Sequence, residues 1–412
     1  MAKEIVTNKT KKLRKYKKIL IAAEVFAAML VIAGCLIYFV PSVKLATIKF
    51  MAGNSVGRTV LGWFGKDAYE DNVQDKEFDS DKIVVNETVK KKLTGYKEIL
   101  LIGIDSRGAE FDAGTNSDSM IVMHIDNDSG KVKMVSVYRD AYMEIIGKDG
   151  NSLGYYSKAN NAYAVEGIQA CINTLNTNMD LNISDYVILN FTGVTRVIDA
   201  LGGIDVTLSQ DEIYQLNQHL ADTKLNTGLY APNITTPGKH HLVGLQATTY
   251  LRIRKAAFTD PDTKEEIHDD YGRAARQQYV IKQLIESAKE AGLSQILEVA
   301  DMILNANTDE ARIIKTSMTY DEIMEMIPLV FDFNLDSGTG YPSKRDVSKV
   351  ALDAGDAMIP MGVTYNVCVM QRFLYGTKDY TPSAKVQEIS NSIAAQTGVE
   401  QLVYDPNETI EP

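Results

Sequence analysis

The sequence predicts an α/β protein, an α-β-α sandwich with a central mixed β-sheet flanked by helices and preceded by one transmembrane helix. Three observations lead there. Apolar runs of strand length, rich in Ile, Val and Met, occupy 98–105, 118–126 and 131–140; amphipathic stretches of helix length then alternate with further short strands; and an unbroken apolar stretch at 19–40 follows a basic N-terminus. At 412 residues the chain is long enough for two or three domains, and 45% hydrophobic residues supply a folded core.

Residues 1–18 carry eight Lys/Arg against one Glu, so with −11 overall the remainder stands at −18. An acidic bulk argues against a nucleic-acid partner, because counterion release needs a basic face. The stretch ILIAAEVFAAMLVIAGCLIYFV, at 1.5 Å rise per residue, reaches roughly 33 Å, enough for a hydrocarbon core of about 30 Å. The positive-inside rule puts the basic segment 1–18 in the cytoplasm and the chain beyond residue 40 outside the plasma membrane. Ile32-Ala33-Gly34-Cys35 matches a lipid-attachment box, but Leu36 to Val40 continue the apolar run, which favours an uncleaved anchor over a lipoprotein or a removed signal. Cys171 and Cys368 are too few for a disulfide framework and lack metal-ligand spacing; they read as buried thiols, with one disulfide as the alternative.

Residues 41–94 read as a stalk with a short helix near VNETVKKKLTGY. A turn at Asn127-Asp128-Ser129-Gly130 joins the second and third strands as a hairpin, which makes the sheet mixed. KANNAYAVEGIQACINTLNTNM is a helix with Ala162, Val165, Ile168, Ile172 and Leu175 along one side. DYVILNF is a strand, FTGVTRVIDALG a helix stopped by Gly202-Gly203, and IDVTLS a strand; 209–241 form a long polar insertion of the kind that covers sites. TYLRIRK reads as a strand whose period of two puts Arg252 and Arg254 on one face, an arrangement that calls for an anion between them. DYGRAARQQYVIKQLIESAKEAG is a helix capped by Asp269 or Asp270, with Gln277, Ile281, Leu284 and Ala288 on one face. Its N-terminus, carrying Arg273 and Gln277 beside the sheet, suits a phosphate. A catalytic domain over 95–292 is followed by a helical and mixed part, 293–380, packed on it and including QILEVADMILNA and YDEIMEMIPLVF. The tail 381–412 reads as a short exposed helix and a disordered end.

Asp105, Arg107, Asp118, Arg139 and Asp140 fall at strand ends, where α/β sheets build ligand sites. Carboxylates beside guanidinium groups suit a divalent cation clamped onto a phosphate, the acids holding the metal and the arginines the anion. That combination points to phosphoryl chemistry. The runs ILLIGI and MIVMHI describe either a greasy groove or ordinary core, and His240-His241 has no third ligand at metal spacing.

The ordered string LIGIDSR, SDSMIVMHID, SVYRD, KANNAYAVEG, DYVILNFTGVTRVIDALGGIDV, HHLVGLQATTYLRIRK and DYGRAARQQ closely resembles the LytR-CpsA-Psr family of Gram-positive cell-wall proteins. The resemblance covers about 98–290, and YTPSAKVQEISNSI keeps the family look near the C-terminus. It implies a membrane-anchored phosphotransferase that moves a glycopolymer from an undecaprenyl-pyrophosphate carrier onto peptidoglycan, typically the C6 hydroxyl of N-acetylmuramic acid. It further implies that Asp105 and Asp118 hold Mg²⁺ (or Mn²⁺), that Arg139, Arg252, Arg254, Arg273 and Gln277 bind the pyrophosphate, and that Asp270 is the acid before the Gly-Arg pair. Arg107, Asp140 and Arg276 are second-tier candidates. One departure is visible: Tyr138 stands where the family commonly has proline. A lipid-pyrophosphate hydrolase using water at the same site, and a non-enzymatic envelope-binding or regulatory protein, are the competing readings; eighteen cytoplasmic residues are too few for a DNA-binding domain.

Overall fold

The computed structural model describes residues 75, 77–85, 89, 95–104, 111, 116–291, 295, 298, 299, 302, 313–343, 345–347 and 355–407, all within the unit Gly65–Pro412. The apolar stretch 19–40, Cys35, Asp105, Arg107 and most of QILEVADMILNA lie outside them. Among the described residues no helix is long and apolar enough to cross a membrane.

In chain order the first strands are β1 (Tyr96–Ile104), β2 (Ser117–Asp126), β3 (Lys131–Val137), β4 (Tyr142–Ile146) and β5 (Ser152–Lys158). Then come α1 (Ala159–Met179), β6 (Asp185–Leu189), α2 (Phe191–Ala200), β7 (Ile204–Leu208), α3 (Gln210–Thr227), β8 (Gly238–Leu242), α4 (Gly244–Tyr250), β9 (Phe258–Thr259), β10 (Glu266–Ile267) and α5 (Asp269–Glu290). The C-terminal part adds β11 (Ile314–Thr316), α6 (Tyr320–Val330), β12 (Asn334–Tyr341), β13 (Arg345–Val347), β14 (Met358–Pro360), α7 (Val363–Tyr375) and α8 (Ala384–Thr397).

Six strands form the central sheet in the order β11-β6-β1-β2-β3-β12. β1 runs antiparallel to β2 and parallel to β6, while β12 lies parallel to β3, so the sheet is mixed as expected. The β2–β3 turn closes at Gly130, whose φ of +68 suits glycine and whose missing Cβ leaves room for the Asp332 carbonyl. Alternation sorts the strand residues: Leu100, Ile102, Ile104, Met120, Val122, Val135 and Val137 join the main core, which α1, α7 and α8 cover. The ILLIGI and MIVMHI runs therefore supply core. A second core, built by α2, α3, β7, β8 and α4 with Val280 of α5, gathers Ile204, Val206, Ile213, Leu216, Leu220, Leu242, Tyr250 and Ile253.

Five local expectations are corrected. Residues 209–241 are not an unstructured insertion: α3 opens on a Ser209/Glu212 capping box and stops at left-handed Gly228, and one stripe of Ile213, Leu216 and Leu220 seats it. TYLRIRK is not a strand, because α4 runs through Tyr250 and the chain then turns; Arg252 and Arg254 share no strand face. The residue capping α5 is His268, with Asp269 and Asp270 in the first turn. Val165 is exposed rather than buried, since α1 breaks at Glu166 and Gly167 and shifts its register. Residues 75–85 do not stand free as a stalk: the Asp75 amide bonds the Thr316 carbonyl, and Val84 N donates to Asn173 Oδ1 at 2.9 Å.

The C-terminal part is woven into the sheet rather than packed on it, contributing both edge strands, β11 and β12. Nor is α8 an exposed tail, for Val386, Ile389 and Ile393 are buried in the main core. Asp180 ties it down, accepting from Tyr380 Oη at 3.0 Å and Ser383 N at 2.8 Å. Each such apolar side chain stabilises by about 1.5–3 kcal/mol, so truncation after Tyr380 is expected to lower Tm by roughly 10 °C, read by differential scanning fluorimetry. An unchanged melting curve would show that α8 is dispensable. Cys171 and Cys368 are free and buried, as read from the sequence; burial pushes the first up to about 12, and burial with Asp180 nearby pushes the second up to about 11.

Candidate functional site

β1 ends, β2 begins and β3 ends at the same end of the sheet's strands, and the N-terminus of α5 reaches that end. There a small cleft is lined by Asp118 and Ser119 of β2, Ser136 of β3, the Tyr138–Asp140 turn, and Asp270, Arg273 and Gln277 of α5. The sheet sets the strand-end residues by register. α5 is fixed over it by Gln278, whose amide donates to Ser136 Oγ at 2.8 Å and the Thr339 carbonyl at 2.9 Å.

Charges interlock across the cleft. Arg139 Nη1 donates to Asp118 Oδ1 at 3.0 Å, and Arg254 Nη2 approaches the same oxygen at 3.8 Å. Asp270 Oδ1 lies 3.3 Å from both Arg254 Nε and Arg273 Nη2. Asp140 sits between Lys158 Nζ at 3.2 Å and Arg139 Nε at 3.6 Å. Gln277 Oε1 accepts from Ser119 Oγ at 2.8 Å. Burial and the repulsion of Arg254 and Arg139, against the pull of Asp270, bring the Arg273 guanidinium down to about 10, so it stays charged at neutral pH.

Two buried atoms in this network make no hydrogen bond although each has an ion-pair neighbour: Arg139 Nε, 3.6 Å from Asp140 Oδ2, and Asp270 Oδ1, between the Arg254 and Arg273 guanidinium groups. A buried donor that makes no hydrogen bond in a polar cleft is costly unless a ligand completes it. The donor suits an anionic oxygen; Asp118, at 37% exposed, is the carboxylate open to a hard cation, since Asp270 Oδ1 already lies between two guanidinium groups. Among the described residues no group of three or more His, Cys, Asp or Glu could hold a metal ion, and Asp105 lies outside them. A cation here would rely on one or two carboxylates and complete its shell from phosphate oxygens and water, as Mg²⁺ commonly does.

Asp118, Arg139, Arg254, Asp270, Arg273 and Gln277 thus converge. Arg252 pairs instead with α3, its Nη2 on Asp222 at 2.9 Å and Nη1 on Thr223 Oγ1 at 2.8 Å, with its guanidinium over the Phe191 ring. Arg276 is fully buried and faces the second core: Glu212 Oε1 accepts at 3.0 Å, and the carbonyls of Ile253, Ala256 and Ala257 accept at 3.1, 2.7 and 2.7 Å. The carbonyls it grips bracket Arg254, so its role is to hold that residue's loop rather than to touch a ligand. His240 and His241 are separately engaged, by the Thr236 carbonyl at 2.7 Å and by Asp205 at 2.8 Å.

Sequence reasoning missed Arg345. Its guanidinium stacks 3.7 Å from the Tyr271 ring centroid and 4.6 Å from that of Tyr138, donating to Tyr271 Oη and to the Pro342 carbonyl. Tyr138 adjoins Arg139, and Tyr271 adjoins Asp270, so one cation clamps both segments of the cleft. Tyr138 fills the space over Gly340, where a Cβ would collide with its hydroxyl. The tyrosine at a position the family commonly gives to proline was the available signal. Arg345→Ala is expected to lower Tm by about 3 °C, with Arg345→Lys restoring only part, since a stacked guanidinium has no ammonium equivalent. Differential scanning fluorimetry checks this, and equal melting temperatures in all three proteins would show that the clamp holds nothing.

The LytR_cpsA_psr family matches residues 64–331. Polyisoprenyl-teichoic acid–peptidoglycan teichoic acid transferase TagU of Bacillus cereus (strain AH820) is 32% identical over 228 residues, 55% of this chain and 62% of that protein. Biofilm regulatory protein A of Streptococcus mutans is 34% identical over 194 residues, 46% of this chain and 43% of that protein. The chain thus matches less than two thirds of the length of either relative. Among solved structures, protein gbs0355 of Streptococcus agalactiae shares the fold with a TM-score of 0.55 at 24% identity, covering 73% of this chain and 92% of that one. The family match extends over more than half of the chain and contains the converging residues from Asp118 to Gln277; the chain belongs to the LytR-CpsA-Psr family.

Proposed function

We propose that the cleft binds a metal-bridged diphosphate, and that the chain is a phosphotransferase moving a glycopolymer from an undecaprenyl-pyrophosphate carrier onto a peptidoglycan hydroxyl. The reading includes a tether through 19–40, an N-terminus in the cytoplasm and a cleft at the outer face of the membrane. The observation that carries it is the crowding of Arg139, Arg254 and Arg273 around Asp118 and Asp270, with the buried Arg139 Nε making no hydrogen bond. The relative named for teichoic acid transfer to peptidoglycan supports the same direction.

A diphosphate diester carries two negative charges. Arg139, Arg254 and Arg273 bind and orient it, and Asp118 and Asp270 keep the three guanidinium groups from repelling one another in its absence. Mg²⁺ (or Mn²⁺) would be held by Asp118 with Asp105, and when bound it neutralises charge on the departing phosphate. The acceptor hydroxyl oxygen bonds to the glycan-side phosphorus as the bond from that phosphorus to the bridging oxygen breaks. The lipid monophosphate leaves with the electron pair, and the hydroxyl proton passes to a carboxylate, for which Asp105, Asp140 and Asp270 are the candidates.

The test is product analysis with the full-length chain in detergent, a lipid-linked oligosaccharide, peptidoglycan oligomers and Mg²⁺. A covalent saccharide–peptidoglycan phosphodiester is expected, with its formation lost on chelation. Free saccharide phosphate without conjugate would make the protein a hydrolase and overturn the reading.

A further inference from the structure

On the second core, away from the charged cleft in chemistry, α3 and the segment 229–237 enclose an open groove of about 450 Å³. Ile213 and Ile234 form its apolar floor, both buried. Gln210, Tyr214 and Gln218, spaced by four along α3, stand exposed on one wall, and Thr235 faces them from the other. Asn217 braces the walls, its amide donating to the Ile234 carbonyl at 2.7 Å and its oxygen accepting from Ile234 N at 3.1 Å, so the groove is formed before any ligand arrives.

The lining carries no ionisable group other than the Tyr214 phenol, in a chain of net charge −11. A phenol ring 60% exposed between two outward-pointing amides offers an apolar face flanked by paired donors and acceptors. Pyranose rings present that pattern in reverse, an apolar C–H face edged by hydroxyl groups. An acidic or basic partner would find nothing here to neutralise it. We infer that this groove is a subsite for an uncharged pyranose chain, with Tyr214 stacking on a ring and Gln210, Gln218 and Thr235 pairing with its hydroxyls. This deepens the transferase reading and rests on it only for the origin of the glycan. The groove also shares α3 with the support of the cleft, since Glu212 on the same helix anchors Arg276, which holds the loop carrying Arg254.

The test uses the full-length chain in detergent, titrated by calorimetry with a β-1,4-linked N-acetylglucosamine hexamer and, separately, with a neutral hexose hexamer. Saturable binding of either supports the subsite; the tighter of the two assigns it to the wall strand or to the transferred polymer. Tyr214→Ala is expected to weaken that binding about tenfold and Gln218→Ala about threefold, while Tyr214→Phe keeps it within about twofold. Both positions are exposed, and circular dichroism checks that the three variants fold. Arg254→Ala is expected to lose prenyl diphosphate yet bind the hexamer as the parent does, so failure of the transferase reading leaves this result standing. No saturable binding of either hexamer, or binding unchanged in Tyr214→Ala, overturns the subsite.

Discussion

Arg139→Ala is expected to lower kcat/KM for glycopolymer transfer by about 10³-fold, close to 4 kcal/mol of transition-state stabilisation. The reason lies in how many partners that one guanidinium serves. It donates to Asp118 through Nη1, while its buried Nε, 3.6 Å from Asp140 Oδ2, makes no hydrogen bond. Its loss removes a donor aimed at the phosphate and frees Asp118 to repel it. Stability should hardly change, because neither partner is deeply buried: Asp118 and Asp140 are 37% and 21% exposed. Kinetics with a lipid-linked oligosaccharide, beside melting curves, separate the two effects. A loss of activity that merely tracked a loss of folded protein would refute the assignment.

Arg276→Met is expected to cost about 3–5 kcal/mol of stability, the largest structural penalty among the arginines considered. The side chain is fully buried, and removing it strands Glu212, itself 4% exposed, along with three carbonyls. Urea denaturation measures the loss. Adding Glu212→Leu should return only part of it, since the stranded carboxylate is gone but α3 loses its capping box and the three carbonyls still lack a donor. Activity should stay low in the double variant, because the carbonyls around Arg254 still lack their anchor. If the double variant transferred polymer at the parent rate, Arg276 would be a stability element alone.

The sheet was legible because alternation writes itself into strands that bury one face or both; β1, β2, β3 and β6 fall within a few residues of their apolar runs. α3 hid because only a narrow apolar stripe marks it among polar residues, although Ser209, Glu212 and Gly228 carried its start and stop. The Arg252–Arg254 pairing failed because TYLRIRK is both alternating and apolar, and the short helix α4 ending at Tyr250 overrode the strand pattern. Of the cleft, Asp118, Arg139, Arg254, Asp270, Arg273 and Gln277 could be gathered from the family string. No rule of spacing predicts that Arg276, three residues beyond Arg273 on α5, points into another core, or that Arg345, over two hundred residues after Tyr138, comes back to stack on it.

Because β6 gains its outer neighbour from residues 314–316 and β3 gains its own from 334–341, the flanks of the sheet are supplied last. A nascent chain released only as far as residue 292 carries two unpaired, apolar flanks with open amides and carbonyls, the form most prone to pairing with another copy. The sheet can therefore be completed only once residues 314–341 have been made.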